Sequence, residues 1–405
     1  MKNGILTDHT LIIDELETSI KFHNLNLILG FLPRGSYLVG GYIRDIILGR
    51  ETEEVDFDIV VPLNAIEIGK KIADNIGSKF IILDEKREVI RIIFNDIDID
   101  IATQVSSTIE GDLRSRDFSI NSIAFLFDKK CLFDPLNGLK DLELSILRTH
   151  SEINLLNDPL RILRCFRFVS ELNFKIDLNL ITFIKKNKAK LYLVARERIN
   201  YEIEKIVHGA NALDAVLMIK KINIFGIDNL SGDSFFLDLE KINYAELDHQ
   251  EKEKFLPLFF IGQILDVLSL EKLKISKAEI KKTKLLRKWY FFLQNKNISQ
   301  LNELDRFNLH KELEMFLPAF IIYLPQKLHS NWLKRWRDKE DKLFHPSNLL
   351  NGNVIKKNLK IEDGPTLGEL LHYLSKELAY KRLNNFDEAI YKAKQWIEQN
   401  APKCD

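Results

Sequence analysis

The apolar residues of this chain keep two different periods, and the change between them falls near Leu147. Before it, short alternating runs such as Tyr37 to Val39 and the VDFDIVV run at 55–61 stand between segments at helical spacing. Alternation puts successive side chains on opposite faces of a strand, whereas a repeat of three to four marks one face of a helix. From Asn157 to Asn400 turn signals are few, and Lys, Leu and Ile recur every three or four positions. The pattern predicts an α/β head, a mixed sheet with helices, followed by a mostly α-helical remainder. A chain of 405 residues exceeds what one core usually covers, so two or more domains are expected.

Within the head, residues 5–31 read as helix ended by Pro33 and Gly35, and 42–49 as helix closed by Gly49. A strand at 55–61 stops at Pro62, and 63–76 returns to helix. Residues 80–102 read as strands forming a hairpin around Glu85-Lys86, the second carrying Asp98 and Asp100 at alternating positions.

Net charge is zero, but its distribution is not even. Residues 1–150 hold 17 Lys and Arg against 25 Asp and Glu, a net of −8, and the remainder carries +8. An acidic first third suits a site that concentrates divalent metal, and a basic remainder suits a polyanion; uneven surface solvation is the alternative. Cys131, Cys165 and Cys404 are odd in number and far apart, which argues against a disulfide framework or a zinc site. Acidic residues at Asp8, Asp14, Glu15 and Glu17 interrupt any secretory h-region. The most apolar stretch, from Phe255, contains Pro257, Gln263 and Asp266 and is too short to span a bilayer. The expected location is the cytoplasm, with no membrane partner.

Three segments carry chemistry. In LVGGYIRDIILG, Gly40 and Gly41 at a strand-to-helix turn let backbone approach a phosphate closely, and Arg44 adds charge-assisted hydrogen bonds one turn in. Asp56 and Asp58 then share one strand face opposite Phe57 and Ile59. Two adjacent carboxylates repel unless a cation sits between them, and hard oxygens near phosphate are what Mg²⁺ takes. A GG turn or a DxD alone is ordinarily a tight turn or a solvated strand end; their ordered succession is harder to dismiss. In GDLRSRDFSINSIAF, Arg116 and Asp117 precede a buried run, where a surface ion pair is the plain alternative. In NDPLRILRCFRF, Asp158 and Pro159 make a good helix start, so Asp158 has a capping role to weigh. Arg161, Arg164 and Arg167 follow as a slanting stripe without interleaved acid; like charges at that spacing repel, so an anion is expected there.

Taken in order, these segments resemble the class II tRNA nucleotidyltransferase and bacterial poly(A) polymerase family. GGYIRDIILG with DFD is similar to its GGxVRDxLLG…DxD motif, RSRDFSINSIAF to RRDFTINALA, and DPLNGLKDL at 134–142 to DxxxGxxDL. NDPLRILRCFRF resembles EDPLRxLRxxRF, and ERINYEIEKI at 197–206 resembles ERIxxELxKI. A looser likeness covers 349–400. The resemblance implies a catalytic head at 1–148, a base-recognising helical neck at 149–210 and an RNA-binding body and tail at 211–405. It implies that Asp56, Asp58 and Asp100 hold two Mg²⁺ ions, with Asp98 competing for the third place. It places Gly40, Gly41, Arg44, Arg116, Asp117 and Asn121 around the triphosphate and ribose. Asp158 and Arg161 would read the Watson–Crick edge of CTP or ATP, with Arg164 and Arg167 completing the site.

The implied reaction is in-line attack of a tRNA 3′-hydroxyl on the α-phosphorus, without a nucleic-acid template. Between Asp58 and Arg116 no loop matches that of full CCA-adding enzymes, which leaves CC-only or A-only addition open, terminal A addition included. Poly(A) synthesis and a catalytically inactive RNA-binding protein are the other readings. Two positions depart from the family pattern: Asn157 stands where Glu is usual, and Ser115 where the first Arg of RRD is usual. No HD phosphohydrolase motif is legible in the helical half, and nothing in the sequence indicates an oligomeric state.

Overall fold

The structure, a computed structural model, describes residues 5–50, 56–94, 97–226, 239–359 and 361–400. Val55 of the expected strand and Cys404 lie outside the described residues. Two helices stand where the sequence suggested one: α1 (His9–Phe22), capped by the Asp8 carboxylate, and α2 (Asn26–Leu29). Between them Asn24 has φ +58°, and a left-handed residue cannot continue the right-handed ladder; Asn is among the few that adopt it readily.

Next come β1 (Tyr37–Val39), α3 (Gly41–Ile47), β2 (Asp56–Val61), α4 (Ala65–Ile76), β3 (Lys79–Asp84), β4 (Val89–Phe94) and β5 (Ile97–Thr103). After α5 (Ile109–Arg114), β6 (Ala124–Leu126) and β7 (Cys131–Phe133) finish a seven-stranded sheet of order β3-β4-β5-β2-β1-β6-β7. The β2–β5 pair runs parallel and the other pairings are antiparallel, so the sheet is mixed. The hairpin of β3 and β4 turns at 85–88, as expected. Asp98 and Asp100, however, lie on a third strand, β5, rather than on the second arm of that hairpin. The turn-favouring pair Asn95-Asp96 is the mark in the sequence between Arg91 and Asp98, and reading the run as one continuous arm passes over it.

Period two places Phe57, Ile59 and Val61 of β2 in the core, with Asp56 and Asp58 on the opposite face. Deeper on that second face Val39, Val60, Ile109, Leu113 and Ala124 form an apolar cluster against α5. The carboxylates therefore stand at one end of a face whose other end is core.

The chain continues through α6 (Gly138–Leu144), β8 (Ile146–Leu147), α7 (Glu152–Asn157), α8 (Arg161–Leu172), β9 (Lys175–Ile176), α9 (Leu178–Asn187), α10 (Arg196–His208) and α11 (Ala212–Ile222). Helix α8 is amphipathic: Ile162, Leu163, Cys165, Phe166, Phe168 and Val169 are buried while its arginines keep partial exposure. Its first residue is Arg161, with Leu160 at the cap position, so Asp158 is not the N-cap the sequence suggested. Asp158 Oδ1 instead accepts from Leu160 N at 3.3 Å, fastening a turn around Pro159.

Residues 1–202 with 209–215 form one compact unit, and 203–208 with 216–405 form the second. The second is helical, as expected: α12 (His249–Ile264), α13 (Val267–Lys272), α14 (Lys277–Asn295), α15 (Glu303–Leu313), α16 (Leu317–Ile321), α17 (His329–Arg337), α18 (Gly352–Leu359), α19 (Pro365–Ala379) and α20 (Phe386–Asn400). Phe259, Phe260, Phe307, Phe320 and Phe344 are fully buried in it, and Leu350, Ile355, Leu370, Leu374 and Ala393 close a further cluster. No helix among the described residues is long and apolar enough to cross a membrane.

Candidate active site

The parallel register sets Asp56 beside Asp98 and Asp58 beside Asp100. Facing partners in a sheet point to the same side, so four carboxylates share one face across two strands. On the far side of β5, Arg91 of β4 stands opposite Asp100 and donates to it through Nε at 2.7 Å and Nη2 at 2.9 Å. The same guanidinium also reaches Asp98. Sequence reading missed Arg91, although a lone Arg in the apolar run VIRIIF was a usable signal.

Gly40 is held at φ +85°, and a Cβ there would come within 2.7 Å of Asp58 Oδ2 and 3.2 Å of Arg116 Nη1. The strand-to-helix turn thus presses backbone onto the carboxylate, which only glycine permits. Burial pushes the Asp58 carboxyl above its usual range; Arg116 opposes this, while Asp100 and Asp56 add to it. Negative charge around the Asp58 carboxyl is undercompensated, the condition a divalent cation relieves. The donor set fits such an ion: hard carboxylate oxygens. Among the described residues no three acidic, His or Cys side chains are already gathered into a ready-made cage. Arg91 holds Asp100 and Asp98 instead.

A second network begins at Arg44, which is buried, pairs with Asp45 at 2.7 Å and donates from Nη1 to Asn121 Oδ1 at 2.8 Å. Asn121 Nδ2 donates to Asp117 Oδ1 at 3.0 Å, and Arg164 Nε donates to Asp117 Oδ2 at 2.7 Å. Burial alone would raise the Asp117 carboxyl; Arg164 and the Asn121 amide outweigh it and hold the group below its usual range. Arg44, Arg164 and Arg167 all lie over the Phe168 ring, at 5.2, 5.6 and 5.9 Å from its centroid. Arg167 is bound to Glu171 at 2.8 Å and stands 3.6 Å from Glu202. The anions expected along the arginine stripe are therefore, for Arg164 and Arg167, carboxylates of this chain.

Arg161 differs. Its Nη1 donates to the main-chain oxygens of Ser115 at 3.1 Å and Asn154 at 3.3 Å. Burial holds its guanidinium below the usual arginine range. Asp158 is ion-paired to Arg198 at 2.7 Å, a partner 40 positions away that no local pattern discloses. Asp158 and Arg161 line a cavity of about 920 Å³ together with Asn157, Arg198, Lys86 and Arg87. The structure therefore brings the predicted residues together in three groups. Asp56, Asp58 and Asp100 share the sheet face; Arg44, Asn121, Asp117 and Arg164 form the buried chain; Asp158 and Arg161 line the cavity. Arg116 by Gly40 and Ser115 by Arg161 make residues 115–117 common to all three.

Comparison with known proteins places these features. Residues 36–148 match the Poly A polymerase head domain, and 262–393 match tRNA nucleotidyltransferase domain 2. A CC-adding tRNA nucleotidyltransferase of Synechocystis sp. is 29% identical over 396 residues, covering 91% of this chain and 95% of that one. A CC-adding tRNA nucleotidyltransferase of Geobacter sulfurreducens is 34% identical over 51% of this chain and 49% of its own. The Thermotoga maritima CCA-adding enzyme, solved complexed with tRNA, superposes with a TM-score of 0.70 at 22% identity over 96% of this chain and 98% of its own, a likeness of fold. With head and helical domains both matched and the ordered motifs in place, the chain belongs to the family of tRNA nucleotidyltransferases and poly(A) polymerases.

Proposed function

We propose that this chain is a tRNA nucleotidyltransferase that adds CC to tRNA 3′ ends, taking CTP and releasing pyrophosphate without a nucleic-acid template. The observation that carries the reading is the register placing Asp56 and Asp58 beside Asp98 and Asp100, beneath the Gly40 turn and Arg116. Family membership implies use of a divalent metal; the all-oxygen donor set favours Mg²⁺ held by Asp56, Asp58 and Asp100. When bound by these carboxylates, such an ion would supply Lewis acidity, lowering the pKa of the attacking hydroxyl and offsetting charge on the departing pyrophosphate. Gly40, Gly41, Arg44 and Arg116 would meet the triphosphate, and Asp117 with Asn121 would fix that wall of the site. Asp158 and Arg161 would read the base: a carboxylate accepts from the exocyclic amine of cytosine, and a guanidinium donates to its ring acceptors. Uracil presents the opposite pattern and leaves a charged group unpaired.

Addition of CC rather than CCA is favoured by the CC-adding activity named for the Synechocystis and Geobacter proteins. It is supported by the short connections between Asp58 and Arg116: β3 and β4 join through 85–88, and β5 and α5 through 104–108. Neither matches the loop expected of full CCA-adding enzymes in this part of the head. The reading includes a head, neck, and RNA-gripping body and tail, at work in the cytoplasm.

The test uses tRNA transcripts ending before CCA, after C and after CC, each with Mg²⁺ and one or more labelled nucleoside triphosphates. Two C residues on the first transcript, one on the second and none on the third is the expected result. Growth by a terminal A would shift the reading to full CCA or A addition, and long A tails to poly(A) synthesis. No incorporation on any end would overturn it.

A further inference from the structure

We propose that Asn154 is a specificity-positioning residue, holding Arg161 at the angle from which it meets the base; this rests on the base-reading role of Arg161 given above. Where the family pattern has a glutamate, this chain has Asn157, whose side chain makes no hydrogen bond among the described residues. The carboxylate that would orient the arginine is missing, and Arg161 is nevertheless anchored.

Its anchor is main chain. Nη1 lies between the carbonyl oxygens of Ser115 at 3.1 Å and Asn154 at 3.3 Å. Among the described residues Nε and Nη2 donate to no protein group, so the guanidinium is gripped at one corner and presents its other donors to the cavity. A planar group fixed at one nitrogen is only as well aimed as the two oxygens that fix it.

Asn154 fixes both. Its Nδ2 donates to Arg114 O at 2.6 Å and Arg116 O at 2.9 Å, bracketing Ser115 from either side. His150 Nε2 meets the same Arg114 oxygen at 2.5 Å. One asparagine thus supplies a carbonyl to Arg161 and locks the strand of chain that supplies the other. It does this from α7, the helix that precedes the base-reading turn, so its amide replaces an ion pair by a backbone clamp. Displacing the clamp would leave Arg161 in the cavity but swinging about its stem. Cytosine and uracil differ at the atoms a guanidinium edge addresses, so a swinging arginine loses discrimination sooner than it loses turnover.

The experiment compares full-length wild type with Asn154→Ala, Asn154→Gln, Arg161→Ala and the double variant Asn154→Ala/Asn157→Glu. For each, kcat and KM are measured for CTP and UTP on a tRNA transcript ending before CCA, alongside the melting temperature. Asn154→Ala is expected to lower the CTP-to-UTP ratio of kcat/KM about tenfold, chiefly through KM for CTP. Glu at 157 is expected to recover most of that loss by giving Arg161 the ion pair it lacks. A role confined to folding would lower the melting temperature and leave the ratio, and the rescue would not occur. If Arg161→Ala collapses discrimination while Asn154→Ala leaves it, or the double variant shows no recovery, the positioning role is overturned with the base-reading intact. If Arg161→Ala itself leaves the ratio unchanged, the base-reading fails instead. Should Asn154→Ala not fold, an unchanged ratio in Asn154→Gln, whose amide sits one methylene too far out, overturns the proposal equally.

Discussion

The carboxylate face of the sheet and the arginine stripe of α8 are charge clusters of opposite sign, and the fold treats them differently. On the stripe, Arg164 is matched by Asp117, and Arg167 by Glu171 and Glu202, leaving Arg161 with carbonyl oxygens. On the sheet, Arg91 serves Asp98 and Asp100 together, Asp56 and Asp58 stand beside them, and the Asp58 carboxyl is driven upward. The stripe is close to electrically closed; on the sheet the charge at Asp58 is not. A cluster that satisfies itself builds structure, and one left short of countercharge is prepared for something that arrives later.

Breaking the open cluster should cost the most activity and little stability. Asp56→Ala and Asp58→Ala are each expected to lower nucleotide incorporation by about a thousandfold or more, the loss of several kcal/mol of charge stabilisation. Melting temperatures should stay at or above wild type, since a crowded negative charge has gone; a large fall in both would mean the aspartates are structural. Breaking the closed cluster should do the reverse. Arg164→Met strands the buried Asp117 carboxylate, and chemical denaturation should show a loss of about 2 kcal/mol, kept modest because the guanidinium is a third exposed.

The acid limb of stability sharpens the same contrast. The Asp117 carboxyl is held below its ordinary value of 3.8, so the folded state binds its proton less readily than the unfolded chain. The stabilisation is complete above the ordinary value and lost as pH falls through the lower folded value. Asp117→Asn should therefore flatten the acid side of the stability–pH curve, and an unaltered slope would remove Asp117 from the account. The smallest effect is expected at Arg91. Arg91→Met should lower apo stability by about 1 kcal/mol and increase the rise in melting temperature on adding Mn²⁺, as Asp100 is released for the ion. A smaller rise than in wild type would show that Arg91 assists the metal instead of occupying its ligand.

Much of the carboxylate face could be read from local order. Asp56 and Asp58 alternate with Phe57 and Ile59, and Gly40 and Gly41 follow an apolar strand, so period and turn chemistry sufficed. Asp100 was legible as a strand residue, but its place on β5 was missed, because the turn-favouring pair Asn95-Asp96 was read through as part of one hairpin arm. The partners of the stripe were hidden for another reason. Arg164 finds Asp117 across 47 positions and Asp158 finds Arg198 across 40, distances over which periodicity carries no information. The sequence pattern called for an anion by the arginines without saying that the chain supplies it. Nothing in the sequence singled out Asn154; its importance lies in which carbonyls the tertiary fold brings to its amide.

The most direct test of the division between the two clusters is one extension assay run on Asp58→Ala and Arg161→Ala side by side. A tRNA transcript ending before CCA is offered CTP or UTP with Mg²⁺, and initial rates are measured for both nucleotides. The account predicts that Asp58→Ala loses incorporation of both alike, whereas Arg161→Ala keeps measurable turnover and accepts UTP nearly as well as CTP. Full turnover by Asp58→Ala, or an unchanged preference for CTP in Arg161→Ala, would contradict it.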